Sequence, residues 1–329
     1  MTDILRRGFL RTLSTVTCAA VALMATPGRS VAQNYPTHPL RLVVGFPAGG
    51  PNDIQGRIIA EWLSARLGQP VNVDNKPGGS SNPATEEVVR APADGYTLLL
   101  VGPANAINPS ISDNLRFNFL RDIAPVASVI REPLVMLVHP SVQAKTAAEF
   151  IALAKANPGK LKMASTGRGS SPHVSGLLFT TLAGVDLDIV QYAGGGPALK
   201  GMIDGGAQVM FEPMSASIEP VRSGKLRALA VTTTTRSTAL PDVPALSEAV
   251  LGYEASALTG VGVPAKTPVA IIERLNREIN AAFSDPAMKR RIADGGGIIL
   301  EGSPADFGRL LAAETEKWAK VIKSSNAKP

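Results

Sequence analysis

Residues 42–53, LVVGFPAGGPND, set the fold: an apolar strand breaks into a Pro/Gly loop, and an amphipathic helix follows at once. This arrangement is also an anion cradle. Gly45, Gly49 and Gly50 let the backbone turn with N–H groups facing outward, and the helix from about Ile54 adds unpaired amides and the positive end of its dipole. In that helix Ile54, Ile58, Ile59, Trp62 and Leu63 form an apolar stripe, Arg57, Glu61 and Arg66 face out, and Gly68 ends it.

Working outward, strands at 40–45, 71–75 and 96–101 alternate with helices at 54–67 and 85–91, a βαβαβ pattern that implies a parallel sheet. A second series starts with the unbroken apolar run 134–138. It continues through a helix at 147–156, strands at 162–165, 188–192, 208–211 and 226–231, and helices at 173–182 and 197–203. The tail adds a strand at 258–263 and helices at 268–283 and 304–323. One such unit would be large for a single core, so the expected architecture is α/β with two lobes, a cleft and a hinge. The first lobe takes 33–133 and, with the tail returning, 252–329; the second takes 134–251.

Residues 1–32 read as an export signal. RRGFLR at 6–11 precedes an Ala/Thr-rich apolar run at 13–25, and Ser30-Val31-Ala32 offers a small-x-small cleavage site after Ala32. The paired arginines followed by Phe-Leu resemble a twin-arginine signal, and the apolar run is short for a membrane span. Cleavage removes Cys18, the single cysteine, leaving 297 residues without disulfides, thiol chemistry or Cys-ligated metal. Of the net charge of +6, +3 lies in the signal, so the mature chain is mildly basic. Its dispersed cations and 5% aromatics give no reason to expect nucleic acid as a partner.

Several strand ends share glycine, hydroxyl and amide groups: 46–53, 76–82, 102–105, 165–171, 193–196 and 212–215. In open α/β sheets ligands bind outside the carboxyl ends of strands, so loops from both lobes are expected to converge on one cleft. No Walker loop, G-x-G-x-x-G or G-x-S-x-G elbow is present, and there is no H-E-x-x-H. Neither a metal nor a cofactor is expected. His173 is the one histidine placed for chemistry, either as a base beside Ser170 or as a helix-start residue bonded to its own loop. Asp53 is expected to tie down the glycine loop or cap the helix rather than act as an acid. Tyr192, at a strand end, either packs in the cleft wall or offers its hydroxyl to a ligand.

GFPAGGPND, PADGYTLLL at 92–100, STGRGSSPH at 165–173, YAGGGPALKGMIDGGAQVMF at 192–211 and LPDVPALSEA at 240–249 together resemble the Bug-type extracytoplasmic solute receptors of tripartite tricarboxylate transporters. The resemblance runs in order along the whole mature chain. It implies a two-lobed, type II-like periplasmic binding protein, not an enzyme, that closes on a small carboxylated solute and serves membrane permease subunits, or a sensor kinase, as a monomer. Carried onto this chain, the ligand contacts are Phe46, Ala48, Gly49, Asn52 and Asp53 in the first loop. Gly79, Ser80, Asn105, Ser165, Thr166, Ser170, Tyr192, Gly194, Gly195 and Glu212 complete the cleft. Asn52 departs from the usual Thr or Ser, Ser80-Ser81-Asn82-Pro83 replaces a more Gly/Ile-rich run, and Glu212 stands where Asp is common. Facing the cleft, Glu212 would favour a ligand amine and repel a second carboxylate; paired with a basic residue it would be scaffold. An exported hydrolase using Ser170 with His173 is the competing reading.

Overall fold

In a computed structural model that describes residues 34–112 and 114–325, the apolar run after His38 forms β1 (Leu40–Val44), buried along most of its length. The chain divides into Met1–Thr37 and His38–Pro329, and every strand and helix among the described residues belongs to the second unit. The export signal at 1–32 lies outside the described residues. After β1 come α1 (Pro51–Leu67), β2 (Val71–Asn75), α2 (Asn82–Arg90), β3 (Thr97–Val101), the short α3 (Pro103–Ile107) and α4 (Phe119–Asp122). Then follow β4 (Ile123–Val138), α5 (Ala147–Ala156), β5 (Lys162–Ser165), α6 (Ser171–Ala183), β6 (Asp188–Gln191) and α7 (Gly195–Ile203). The chain continues through β7 (Val209–Pro213), α8 (Met214–Arg222), β8 (Arg227–Val231) and β9 (Ser256–Pro264). It closes with α9 (Val269–Ala281), α10 (Pro286–Asp294), β10 (Ile298–Ile299) and α11 (Pro304–Ser324). Helix α1 starts before Ile54 because Pro51 stands at its first position, where a fixed φ suits the helix and the missing N–H costs nothing.

The sheet runs β2-β1-β3-β9-β4-β7-β5-β6, with β8 and β10 also paired to β4. Pairing is parallel within each series, β1 with β2 and β3, β5 with β6 and β7. The joins are antiparallel, so the sheet is mixed rather than parallel throughout. The largest difference from the sequence expectation is β4, which spans 16 residues where only 134–138 reads as strand. Pro125, Pro133 and the pair Arg131-Glu132 break the apolar pattern ahead of Leu134. The ladder absorbs the first of these by shifting register between Pro125 and Ala127 and again between Ser128 and Ile130. From Ile123 to Pro133 the strand pairs with β9; from Leu134 to Val138 it pairs with β7 and β8.

Next to this exchange Thr232 is fully buried. Its hydroxyl accepts from the Leu134 N–H at 2.7 Å and donates to the Ala255 carbonyl at 2.7 Å, tying the outgoing and returning chains together. The core of the second series is built on Phe150, Phe179, Phe211 and Tyr253, consecutive rings 5.4 to 6.3 Å apart, in the range of favourable aromatic pairs. Helix α11 belongs to two clusters. Phe307 and Leu311 pack with Val43, Leu99 and Val101. Trp318, Val321 and Ile322 pack with Phe179 and Phe211. Trp318 is 1% exposed and donates its indole N–H to Glu314 at 2.9 Å. Trp318→Ala is therefore expected to cost about 3–5 kcal/mol of unfolding free energy, read as a lower urea midpoint.

Candidate ligand-binding site

A cavity of about 260 Å³ opens where the carboxyl ends of β1, β3, β5, β6 and β7 meet. Of the residues expected at the cleft, Phe46, Ala48, Gly49, Asn52, Thr166, Ser170, Gly194, Gly195 and Glu212 line it. Gln55 from α1, Glu132 from β4, and Ala257 and Thr259 from β9 line it as well, and none of these four was expected from the sequence. Gln55 carried a signal, since it lies one turn into the helix that the glycine loop opens. Glu132 carried one too, as part of the charged pair Arg131-Glu132 set into a largely apolar run.

The first loop is held from beneath. Asp53 is 2% exposed, and its carboxylate accepts from the Gly49 N–H at 2.8 Å, Arg57 Nε at 2.8 Å and Asn75 Nδ2 at 3.0 Å. Asn75 Nδ2 also donates to the Phe46 carbonyl at 3.0 Å. Gly49 has φ +80°, the left-handed region that glycine enters without steric cost. Burial alone would raise the Asp53 carboxyl, but the bonds from Arg57, Gly49 and Asn75 outweigh it and hold the group below its ordinary value. Asp53 therefore anchors the loop and does not line the cavity. The Gly49 amide is spent on that anchor rather than turned outward.

Five other expected residues also lie off the cavity lining. Asn105 is buried, its Oδ1 accepting from the Gly102 N–H at 2.9 Å and its Nδ2 donating to Thr85 Oγ1 at 2.7 Å; Pro103 and Ala104 line the cavity in its place. The Ser165 hydroxyl, fully buried, donates to the Gly167 carbonyl at 3.3 Å. Tyr192, half-buried, packs against the buried cluster that includes Ala198 and Met202, with its ring over Gly201. Gly79 faces a separate surface groove with Asn82 and Phe117. Ser80 donates its hydroxyl to the Arg168 carbonyl, joining the loop after β2 to the loop after β5.

Two carboxyls dominate the cavity's electrostatics. Glu132 is 2% exposed and accepts from Gln55 Nε2 at 2.7 Å and from the Ser215 N–H at 2.8 Å. Burial raises its pKa, against the pull of those bonds. Glu212 is 1% exposed, and burial together with the charge of Glu132 pushes it up to about 8. Its Oε2 and the Oε1 of Gln55 have no hydrogen-bond partner. Its other oxygen lies so near Gly195 that a Cβ there would sit 3.1 Å away. Among the described residues no basic side chain pairs with Glu212, so the scaffold alternative is not formed there.

The serine–histidine arrangement of a hydrolase is not formed. Ser170 Oγ donates to the Gly167 carbonyl at 2.7 Å and accepts from the backbone N–H of His173 at 3.3 Å, the bonds of a helix N-cap. The His173 ring accepts from the Gly169 N–H at 3.3 Å, and burial, then the Arg168 charge, lowers its pKa to about 4. Among the described residues no group of three or more His, Cys, Asp or Glu is placed to hold a metal ion, and no helix is long and apolar enough to cross a membrane.

The sequence model of the tripartite tricarboxylate transporter family receptor, TctC, matches residues 56–327. Protein BugT of Bordetella pertussis is 35% identical over 302 residues, covering 90% of this chain and 92% of that one. The solved R. palustris protein Rpa4515 with adipate has a TM-score of 0.85 and 33% identity, over 89% of this chain and 98% of its own. MatC from Rhodopseudomonas palustris with bound malate has a TM-score of 0.82 and 28% identity, over 88% and 100%.

Two predictions concern the buried carboxyls. Asp53→Asn is expected to lose roughly 1.5–3 kcal/mol at neutral pH, because a charge-assisted anchor becomes a neutral one. Its native pKa is depressed, so the wild-type advantage holds above the ordinary carboxyl range and fades as pH falls through it; parallel urea titrations from pH 7 to pH 3 measure this. Glu212 has the opposite sign. The folded chain keeps its proton to about 8 while the unfolded chain releases it near 4.5, so stability is full below 4.5 and declines as pH rises to about 8. Ligand-free Glu212→Gln is expected to abolish that decline, worth roughly 3 kcal/mol at pH 7, in the same titration carried to pH 9.

Proposed function

Because the chain belongs to the receptor family of the tripartite tricarboxylate transporters, we propose that it is a periplasmic solute-binding protein that captures a small carboxylated metabolite by lobe closure. The family's members are receptors, not enzymes. The observation that carries the reading is the cavity itself, formed by the glycine loop and first turn of α1 on one side and by the loops after β5, β6 and β7 on the other. One ligand carboxylate sits at Ala48 and Asn52, where backbone amides and the helix dipole favour negative charge. Phe46, Gly49, Thr166, Ser170, Gly194 and Gly195 complete the contacts. The adipate of Rpa4515 and the malate of MatC support a carboxylate as the ligand's recognised group.

Closure is assigned to a hinge where β4 leaves β9 for β7, at Pro133–Leu134, and where the chain returns beside Thr232 and Ala255. The lobes on this reading are 33–133 with 252–329, and 134–251. The closed form, a monomer, presents its surface to the permease subunits of a tripartite transporter. Export follows the twin-arginine-like signal, with cleavage near Ala32.

Ligand-stripped mature protein, screened against organic acids, amino acids and aromatic acids, is expected to gain thermal stability with some of them. A free ligand at a hundredfold excess over Kd is worth about 2.7 kcal/mol. Small-angle scattering with the same ligand should show a smaller radius of gyration. A folded protein that no carboxylate stabilises would sink the reading.

A further inference from the structure

Among the described residues, the ionisable side chains lining the cavity are Glu132 and Glu212, and no Lys, Arg or His lines it. Both are almost fully buried, and Glu132 already has donors on both oxygens, from Gln55 and Ser215. What remains without a partner is one oxygen of Glu212 and the carbonyl oxygen of Gln55, and both residues line the cavity. A buried polar atom without a partner is costly, and two on residues that line one small cavity mark the place where a ligand's N–H groups belong. The first turn of α1 borders the same cavity, with Pro51 and Glu212 both next to Gly195, and its amides favour negative charge.

Resting on the receptor reading above, the geometry points to a ligand that is an ammonium carboxylate, its carboxylate on the α1 loop and its protonated nitrogen among Glu212, Glu132 and Gln55. An ammonium brings three donors and a positive charge: beside it Glu212, which holds a proton in the empty protein at pH 7, releases that proton to solvent and pairs as a carboxylate, while the Gln55 carbonyl oxygen gains a donor. A dicarboxylate brings acceptors and a second negative charge to a wall with no cation. That charge would be buried beside two carboxyls that burial already keeps from ionising freely, with no cation lining the cavity to balance it. This chain is thereby set apart from the adipate- and malate-bound proteins it resembles.

The test is calorimetry and thermal shift at pH 7 on ligand-stripped protein with matched pairs: β-alanine with succinate, γ-aminobutyrate with glutarate, δ-aminovalerate with adipate, and the α-amino acids alongside. Ammonium carboxylates should bind at least about tenfold tighter than their dicarboxylate partners, and the uncharged-end control valerate should bind like neither. Glu212→Gln, which is expected to fold at least as stably as the wild type, should erase most of that preference. If dicarboxylates bind as well as or better than their partners, or valerate equals δ-aminovalerate, the ammonium site is wrong while the receptor reading stands. If nothing in the panel binds folded protein, both fail.

Discussion

The antiparallel ladder of β4 is the constraint on which the rest depends. One strand serves two partners, β9 along its first part and β7 with β8 along its second, so the two parallel series share a backbone instead of merely touching. A β-ladder is stiff along its hydrogen bonds and bends where they change partner. The exchange at Pro133–Leu134 therefore holds the two groups of strand ends face to face with a cleft between them. The Thr232 hydroxyl, bonded to both the outgoing and the returning chain, closes this junction from within.

The same ladder explains why the cavity is acidic. Glu132 is the residue just before the exchange, and its direct partner on β9 is Ala257, which also lines the cavity. Glu212 lies opposite Val135 on β7, a few residues beyond that point. Two carboxyls from neighbouring strands thus meet at one cavity, and burial together with the charge of Glu132 lifts Glu212 to about 8. Such an arrangement destabilises the empty protein as pH rises, and binding proteins tolerate such a cost where a ligand offsets it.

Much of this was legible in the chain. Residues 42–53 announce strand, loop and helix through hydrophobicity and glycine placement, and the structure follows them within a few residues. Asp53 reads correctly as the loop's tether because an acid four residues after a positive-φ glycine can reach back to its amide. Strand β4 was half hidden, since proline and a charged pair are local signals of interruption that only a neighbouring strand can override. Asn105 and Ser165 are ligand contacts by family resemblance; local backbone groups, and for Asn105 the Thr85 hydroxyl, take their hydrogen bonds instead, which spacing does not reveal.

By itself, the sequence determined most of the strands and the longer helices, the glycine loops at strand ends and the family, because these follow from local periodicity, backbone freedom and ordered motifs. Tertiary structure alone decided which polar groups face the cavity. Gln55 and Glu132 enter it from a helix and a strand that local pattern treats as scaffold, while Asn105 is buried and Tyr192 packs half-buried against a core cluster outside the lining. The physical reason is that a side chain's environment is set by what crosses it from distant parts of the chain, and here that crossing is made by β4 and β9.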